Sequence, residues 1–171
     1  TKEVCVAEKN ASRLIKMIND LLDVERLESG RFELEVKEGD LVEIIDRAVT
    51  SIDALARSRN ITIKTPAESM SAVFDADRME QVFTNVVANA VKFSPEDGEV
   101  GISLKKGENL VEVRIADRGP GVPPEKRETI FERFRQTGSD KEAEKSGSGL
   151  GLAIVRALMT EHKGSISIEE N

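Results

Sequence analysis

The chain has 171 residues, of which 39% are hydrophobic and 33% charged, which suits one packed domain with an appendage and excludes a membrane span in any window. A net charge of −7, no Trp or Tyr and only six Phe argue against a phosphate-backbone partner and a base-stacking platform, so nucleic acid is not an expected partner. A single cysteine, Cys5, excludes an internal disulfide and a cysteine-cluster metal site. Thr1 opens no signal peptide, and a non-Met start leads us to expect a cut chain.

Residues 1–29 read as one amphipathic helix, with Val4, Ala7, Ala11, Leu14, Ile18 and Leu21 at alternating steps of three and four. Ile15 and Leu22 widen that seam into a bundle face, and Gly30 stops it. The seam has no partner helix within this sequence, so an intermolecular bundle is expected, with Cys5 as a small core residue. Phe32, Leu34 and Val36 alternate with Glu33 and Glu35, which predicts a short strand over 32–36. Asp40 and Glu43 form a capping box for a helix over about 41–58, with Leu41, Ile44, Ile45, Ala48, Ile52 and Leu55 inward.

Ile61–Ile63 and Ala72–Phe74 read as short strands. Asp77 and Glu80 form a second capping box, opening a helix to about Phe93 that Ser94-Pro95 ends. Strands over about 99–105 and 110–116 follow, joined by a turn at Lys106–Asn109. Residues 118–148 hold most of the Gly and Pro and read as a long loop with a short helix near Pro124–Ile130. A helix from Gly149 to Glu161 and a strand beginning at Ser165–Ile168 complete the order. Hairpin-joined strands disfavour a doubly wound parallel sheet, and the pattern predicts a two-layer α/β sandwich, a mixed sheet with helices on one face, preceded by the first helix.

Three motifs carry the chemistry. Asn85, Asn89 and Lys92 advance by four and three residues and share one helix face, beside a stripe of Val82, Val86, Ala90 and Phe93 expected to enter the core. Amide oxygens are hard ligands that suit Mg²⁺, and an ammonium is a point charge for phosphate. Asp117 ends a strand and is followed by Gly119 and Gly121. A carboxylate there can accept from an exocyclic amine, and the glycines let backbone approach a flat ring. Gly147-Ser148-Gly149-Leu150-Gly151 leads into a helix, whose N-terminal N–H groups favour an anion. No Gly-Lys-Ser/Thr follows, so it is not a Walker loop, and no strand immediately precedes it as a dinucleotide fingerprint requires.

Together these segments resemble the nucleotide-binding boxes of sensor histidine kinases, members of the wider ATPase superfamily of gyrase, Hsp90 and mismatch-repair proteins with the Bergerat fold. Gln81–Phe93 is similar to the N box, Asp117–Val122 to the first glycine box, Ile130–Arg135 to the F box, and Gly147–Val155 to the second glycine box. Leu14–Asp23 with Leu27–Gly30 looks like the end of the second helix of the family's dimerisation domain. The resemblance implies a boundary near Gly30: residues 1–30 as that helix, and 31–171 as the catalytic ATP-binding domain lacking its last strand.

The resemblance further implies ATP and Mg²⁺ as ligands. Asn89 would coordinate the metal, Asn85 would support the phosphate end, and Lys92 would contact phosphate. Asp117 would read the adenine amine, with Gly119 and Gly121 shaping the pocket and Phe131 of the F box beside it. Gly147, Gly149, Leu150 and Gly151 would form the lid and meet the phosphates. Arg135 would reach the γ-phosphate, with Lys141 and Lys145 as alternatives. Asn85 stands where hydrolytic members carry a water-activating Glu, which favours phosphoryl transfer over hydrolysis.

The expected protein is thus a protein-histidine kinase catalytic domain. Its acceptor histidine would lie on a helix outside this chain, a response-regulator receiver domain would be its downstream partner, and the 1–29 helix would form a homodimer in the parent. His162, the only histidine, is expected to be structural rather than the acceptor. Without an acceptor the chain is not expected to autophosphorylate. A cytoplasmic setting is expected, with the parent's anchoring open. Two other readings compete: an anti-sigma-type serine kinase of the same superfamily, against which the heptad helix argues, and a non-catalytic nucleotide-sensing dimerisation module.

Overall fold

A computed structural model describes residues 11, 14–15, 17–23, 25, 33–134 and 148–170. The expected boundary at 30–31, Gly30, Cys5, Arg135, Lys141, Lys145 and Gly147 lie outside the described residues.

Two helices make the centre. The first, α1, spans Leu41–Ser58 and buries Leu41, Ile44, Ile45, Ala48, Ile52 and Ala56. Its N-cap is Asp40, whose Oδ1 accepts from the Val42 N–H at 2.9 Å and from the Met70 N–H at 3.0 Å. The second, α2, spans Ala76–Phe93 and buries Met79, Val82, Phe83, Val87, Ala90 and Val91. A third, α3, spans Gly151–Glu161 and buries Ile154, Val155 and Leu158. Helix α2 packs between α1 and α3, and burial on both flanks makes its apolar stripe wider than one side of a sheet would need.

The strands fall into two groups. Strand β1 (Lys37–Asp40) pairs antiparallel with β3 (Ser71–Phe74), Lys37 opposite Phe74 and Asp40 opposite Ser71. Strand β2 (Thr62–Lys64) lies parallel to β4 (Glu99–Lys106), which pairs antiparallel with β5 (Val111–Ala116). The parallel pair is joined by a long crossover through β3 and α2, as parallel strands require. The core between helices and strands includes Ile45, Ala48, Val87, Val91, Val100, Ile154 and Val155, all 0% exposed. These layers match the expected α/β sandwich with a mixed sheet.

Local expectations are corrected in five places. The first strand is not at 32–36: residues 33–36 carry no regular secondary structure, Val36 is 49% exposed, and the strand begins at Lys37. Strand length follows the partner, and β3 offers only four residues. In α1, Leu55 faces out and Ala56 faces in. The N-cap of α2 is Asp75, not Asp77, because the Asp75 carboxylate both caps the Arg78 N–H at 3.2 Å and holds the Glu35 N–H at 2.9 Å. In α2 the expected Val82 and Ala90 are buried and Val86 packs on the core, but Phe83, Val87 and Val91 join them inside while Phe93 is 47% exposed. Helix α3 begins at Gly151 rather than Gly149, which has φ +72 and cannot open an α-helix.

The expected strand at Ser165–Ile168 is not formed: residues 164–170 carry no regular secondary structure. The segment runs beside the sheet all the same, since Glu169 reaches Arg114 of β5 at 3.5 Å and Ile166 packs on the core. The described residues before position 26 are helical, and Leu14, Ile15, Ile18, Leu21 and Leu22 there are 40–60% exposed.

Candidate nucleotide site

Helix α2 is the spine of the site. Its half-buried face carries Asn85, Asn89 and Lys92 in line, as the spacing predicted. Asn85 Nδ2 donates to the Gly151 carbonyl at 3.5 Å, so the first turn of α3 rests against this row. A Cβ on Gly151 would lie 3.6 Å from both Cγ and Oδ1 of Asn85, ordinary contact distance. Asn89 makes no hydrogen bond to any described residue, which leaves its amide oxygen available to a ligand. The Lys92 ammonium lies 5.2 Å from the centre of the Phe93 ring, at the last turn of the helix.

The Asp117 turn meets the same helix at its C-terminal end. Asp117 leaves β5 and its Oδ1 accepts from the Gly119 N–H at 2.7 Å, closing a tight Asx turn. Gly119 is required by space: a Cβ there would stand 2.7 Å from Asp117 Oδ1 and 2.9 Å from the Phe93 carbonyl oxygen. Gly121 is required by conformation, with φ +70. The carboxylate and the Lys92 ammonium thus flank one helix end, with the two amides one and two turns further back.

The stem before α3 is tied to two other segments. The Phe134 N–H donates to the Gly149 carbonyl at 3.0 Å, and Phe134 itself has φ 59. The Leu150 N–H donates to Ser148 Oγ at 3.3 Å, while Ser148 Oγ reaches the buried Asp20 at 3.3 Å on the N-terminal helix. Leu150 is 1% exposed and Phe131 is 7% exposed, with the Arg156 guanidinium 5.9 Å from the Phe131 ring centre. Leu150 therefore anchors the stem in the core, Phe131 is buried against α3, and any contact Leu150 makes with a ligand is through its backbone.

Further bonds hold the N-terminal helix on α2 and on Arg133, a set that sequence reasoning missed because the partners lie more than fifty residues apart. Asp23 Oδ2 accepts from Gln81 Nε2 at 3.0 Å and pairs with Arg78 at 3.5 Å, and Glu25 pairs with Arg133 at 3.4 Å. Between helix and domain lies an open cavity of about 360 Å³ lined by Asp20, Asp77, Glu80, Gln81, Thr84 and Asn85. Its three carboxylates would repel a polyphosphate, so this cavity is not where the phosphates are expected, although Asn85 borders it from the end of the Asn85–Asn89–Lys92 row.

His162 is structural. Its Nε2 accepts the Asp75 N–H at 3.1 Å and its Nδ1 faces the Leu158 carbonyl at 2.8 Å, so Nδ1 carries the proton and both ring nitrogens are used. It ties the end of α3 to the N-cap of α2. Among the described residues no group of three or more His, Cys, Asp or Glu could hold a metal ion. The Asn89 amide oxygen is a hard donor that would suit Mg²⁺ rather than a softer ion.

Residues 74–171 match the model of the histidine kinase-, DNA gyrase B- and HSP90-like ATPases. Hybrid signal transduction histidine kinase D of Dictyostelium discoideum is 37% identical over 174 residues, 98% of this chain and 11% of that protein. A full-length ShkA structure in complex with AMPPNP superposes with a TM-score of 0.83 at 28% identity, covering 99% of this chain and 35% of that one. The histidine kinase ThkA in complex with the response regulator TrrA superposes with a TM-score of 0.74 at 27% identity, over 100% of this chain and 47% of that one. The chain therefore belongs to the family of histidine kinase-, DNA gyrase B- and HSP90-like ATPases. It spans between 11% and 18% of the length of the first curated relatives.

Proposed function

We propose that this chain binds Mg-ATP along α2 and donates its γ-phosphoryl group to a histidine outside the chain, for relay to a response-regulator aspartate. The observation that carries this reading is the row Asn85, Asn89 and Lys92 on one half-buried face of α2, with Gly151 at one end and the Asp117 turn at the other. Asp117 accepts from the adenine amine, and Gly119 and Gly121 let the ring lie against backbone. Lys92 meets phosphate with Gly149 and Gly151, and Gly147 and Arg135, which lie outside the described residues, are assigned to the same phosphate end on the resemblance to the family's boxes. Phe131 is buried against α3, next to the stem before that helix. The Asn89 amide oxygen would hold Mg²⁺, which would supply charge neutralisation at the phosphates.

In the transfer, the bond from the γ-phosphorus to the bridging oxygen breaks, its electron pair leaves on ADP, and a bond to an imidazole nitrogen forms. Asn85 contributes no base to activate water, so its amide supports positioning rather than hydrolysis. Residues 1–30 belong to the dimerisation helix and pair with a second copy, and 31–171 form the catalytic domain. No described helix is long and apolar enough to cross a membrane.

The test is isothermal titration with ATP, with and without Mg²⁺, followed by incubation with radiolabelled ATP and a histidine-bearing helical bundle domain. The reading expects Mg²⁺-dependent binding and acid-labile label on the bundle. Binding without transfer to any such bundle would leave a nucleotide-sensing module in its place.

A further inference from the structure

The last turn of α2 serves both ends of the proposed site, since it carries Lys92 and abuts Gly119. Helix ends leave their final carbonyls without intrahelical partners, and those carbonyls need donors when enclosed. Here the donor comes from another helix. Arg59, the C-cap of α1, sends Nη1 to the Lys92 carbonyl and Nη2 to the Ser94 carbonyl, the latter at 2.9 Å. The carbonyl between them, that of Phe93, is the one against which Gly119 is packed.

We propose that Arg59 is a positioning residue for adenine recognition, because its guanidinium grips the carbonyls on either side of Phe93 and so fixes the surface on which the Gly119–Asp117 turn sits. This rests on the reading of Asp117 as the adenine acceptor. Three features separate it from an ordinary surface arginine. Its two donors straddle one residue, a spacing that a planar fork meets and an ammonium does not. The grip is enclosed: Ser94 is 1% exposed, and Arg59 Nε is buried with no partner among the described residues. A cation at a helix C-terminus is favoured by the helix dipole, more so when water is excluded.

The neighbouring contacts provide a control. Asn60 Nδ2 donates to Asp97 Oδ1, and the Asp97 N–H donates to the Arg59 carbonyl at 3.3 Å. These bonds join the same two loops without reaching the carbonyls of Lys92 or Ser94. Asn60 also has φ 53, so Asn60→Ala strains the same corner. It lowers stability there without releasing the end of α2.

The experiment measures affinities of the full 171-residue chain for Mg-ATP and Mg-GTP, by displacement of trinitrophenyl-ATP, alongside thermal melting. Arg59→Met is expected to weaken Mg-ATP about tenfold and to cut the ATP-over-GTP ratio about fivefold, and Arg59→Lys to cut that ratio about twofold. Asn60→Ala is expected to lower Tm and leave the ratio unchanged. An unchanged ratio in Arg59→Met, or an equal fall in Asn60→Ala at matched loss of Tm, overturns the proposal. If Arg59→Met does not fold, Arg59→Lys decides, since an undiminished ratio there overturns it too. Asp117→Asn separates the two levels. If it abolishes the preference for ATP while Arg59→Met keeps it, only the Arg59 proposal falls. If Asp117→Asn keeps the preference, the adenine assignment fails and the Arg59 proposal with it.

Discussion

Asn85 donates through Nδ2 to the Gly151 carbonyl at 3.5 Å, joining two segments sixty-six residues apart. That contact ties the amide nitrogen to the first turn of α3. Asn85→Asp removes the donor and sets a carboxylate against a carbonyl and the phosphates. Mg-ATP affinity is expected to fall more than about tenfold, and Asn85→Ala, which adds no charge, is expected to cost less. Titration calorimetry on the two variants checks the order, and equal losses would show that charge at this position is irrelevant.

Asn89→Ala tests the metal assignment. The amide has no protein partner among the described residues, so its loss leaves nothing else unsatisfied and stability should hold. Affinity for ATP in Mg²⁺ is expected to drop about tenfold or more, towards the value in EDTA. A variant that keeps the full Mg²⁺ enhancement would remove Asn89 from the metal site.

Gly119→Ala is the sharpest test of the turn. The added methyl would meet Asp117 Oδ1 at 2.7 Å and the Phe93 carbonyl oxygen at 2.9 Å, and the second is backbone that cannot swing aside. We expect a loss of about 2 kcal/mol in stability and loss of nucleotide binding. Urea melts and nucleotide titration measure both. A stable variant that binds ATP normally would mean the turn is looser than its geometry.

Asp40 gives a pH signature remote from the site. The Met70 N–H, the Ser69 hydroxyl and the Val42 N–H hold its carboxyl below its ordinary range. A group with a lowered folded pKa contributes its stability above the unfolded pKa and loses it as pH falls through the folded one. Asp40→Ala is therefore expected to lower Tm at pH 7, with the difference shrinking as the pH is taken below the usual Asp range. Melting curves at pH 7, 5 and 3 follow it. A difference that persists undiminished at the acid end would assign the loss to packing rather than to the carboxylate.

The course of the helices was legible because each is a long periodic segment with strong ends. Leu41–Ser58 agrees with the period and with the Asp40 cap. Ser94-Pro95 stops α2 where proline chemistry says it must. The cap of α2 was misread because Asp75 and Asp77 look alike in sequence. Only the segment before β1 shows that Asp75 is wanted twice, by Arg78 and by Glu35. Short strands were the least legible, because a strand ends where its partner ends, and the partner of β1 lies thirty residues on.

For the site, the sequence by itself determined which groups are present and which of them share a helix face. The row of Asn85, Asn89 and Lys92 follows from helical periodicity alone, and Asp117 from its place after a strand. What only the tertiary structure decided is how these groups meet. Gly119 is dictated by a carbonyl of another element, Asn85 is tied to α3, and Arg59 caps a helix that it does not belong to. Local spacing is fixed by bonds along the chain. A close approach between distant segments is fixed by packing, and packing belongs to the whole fold.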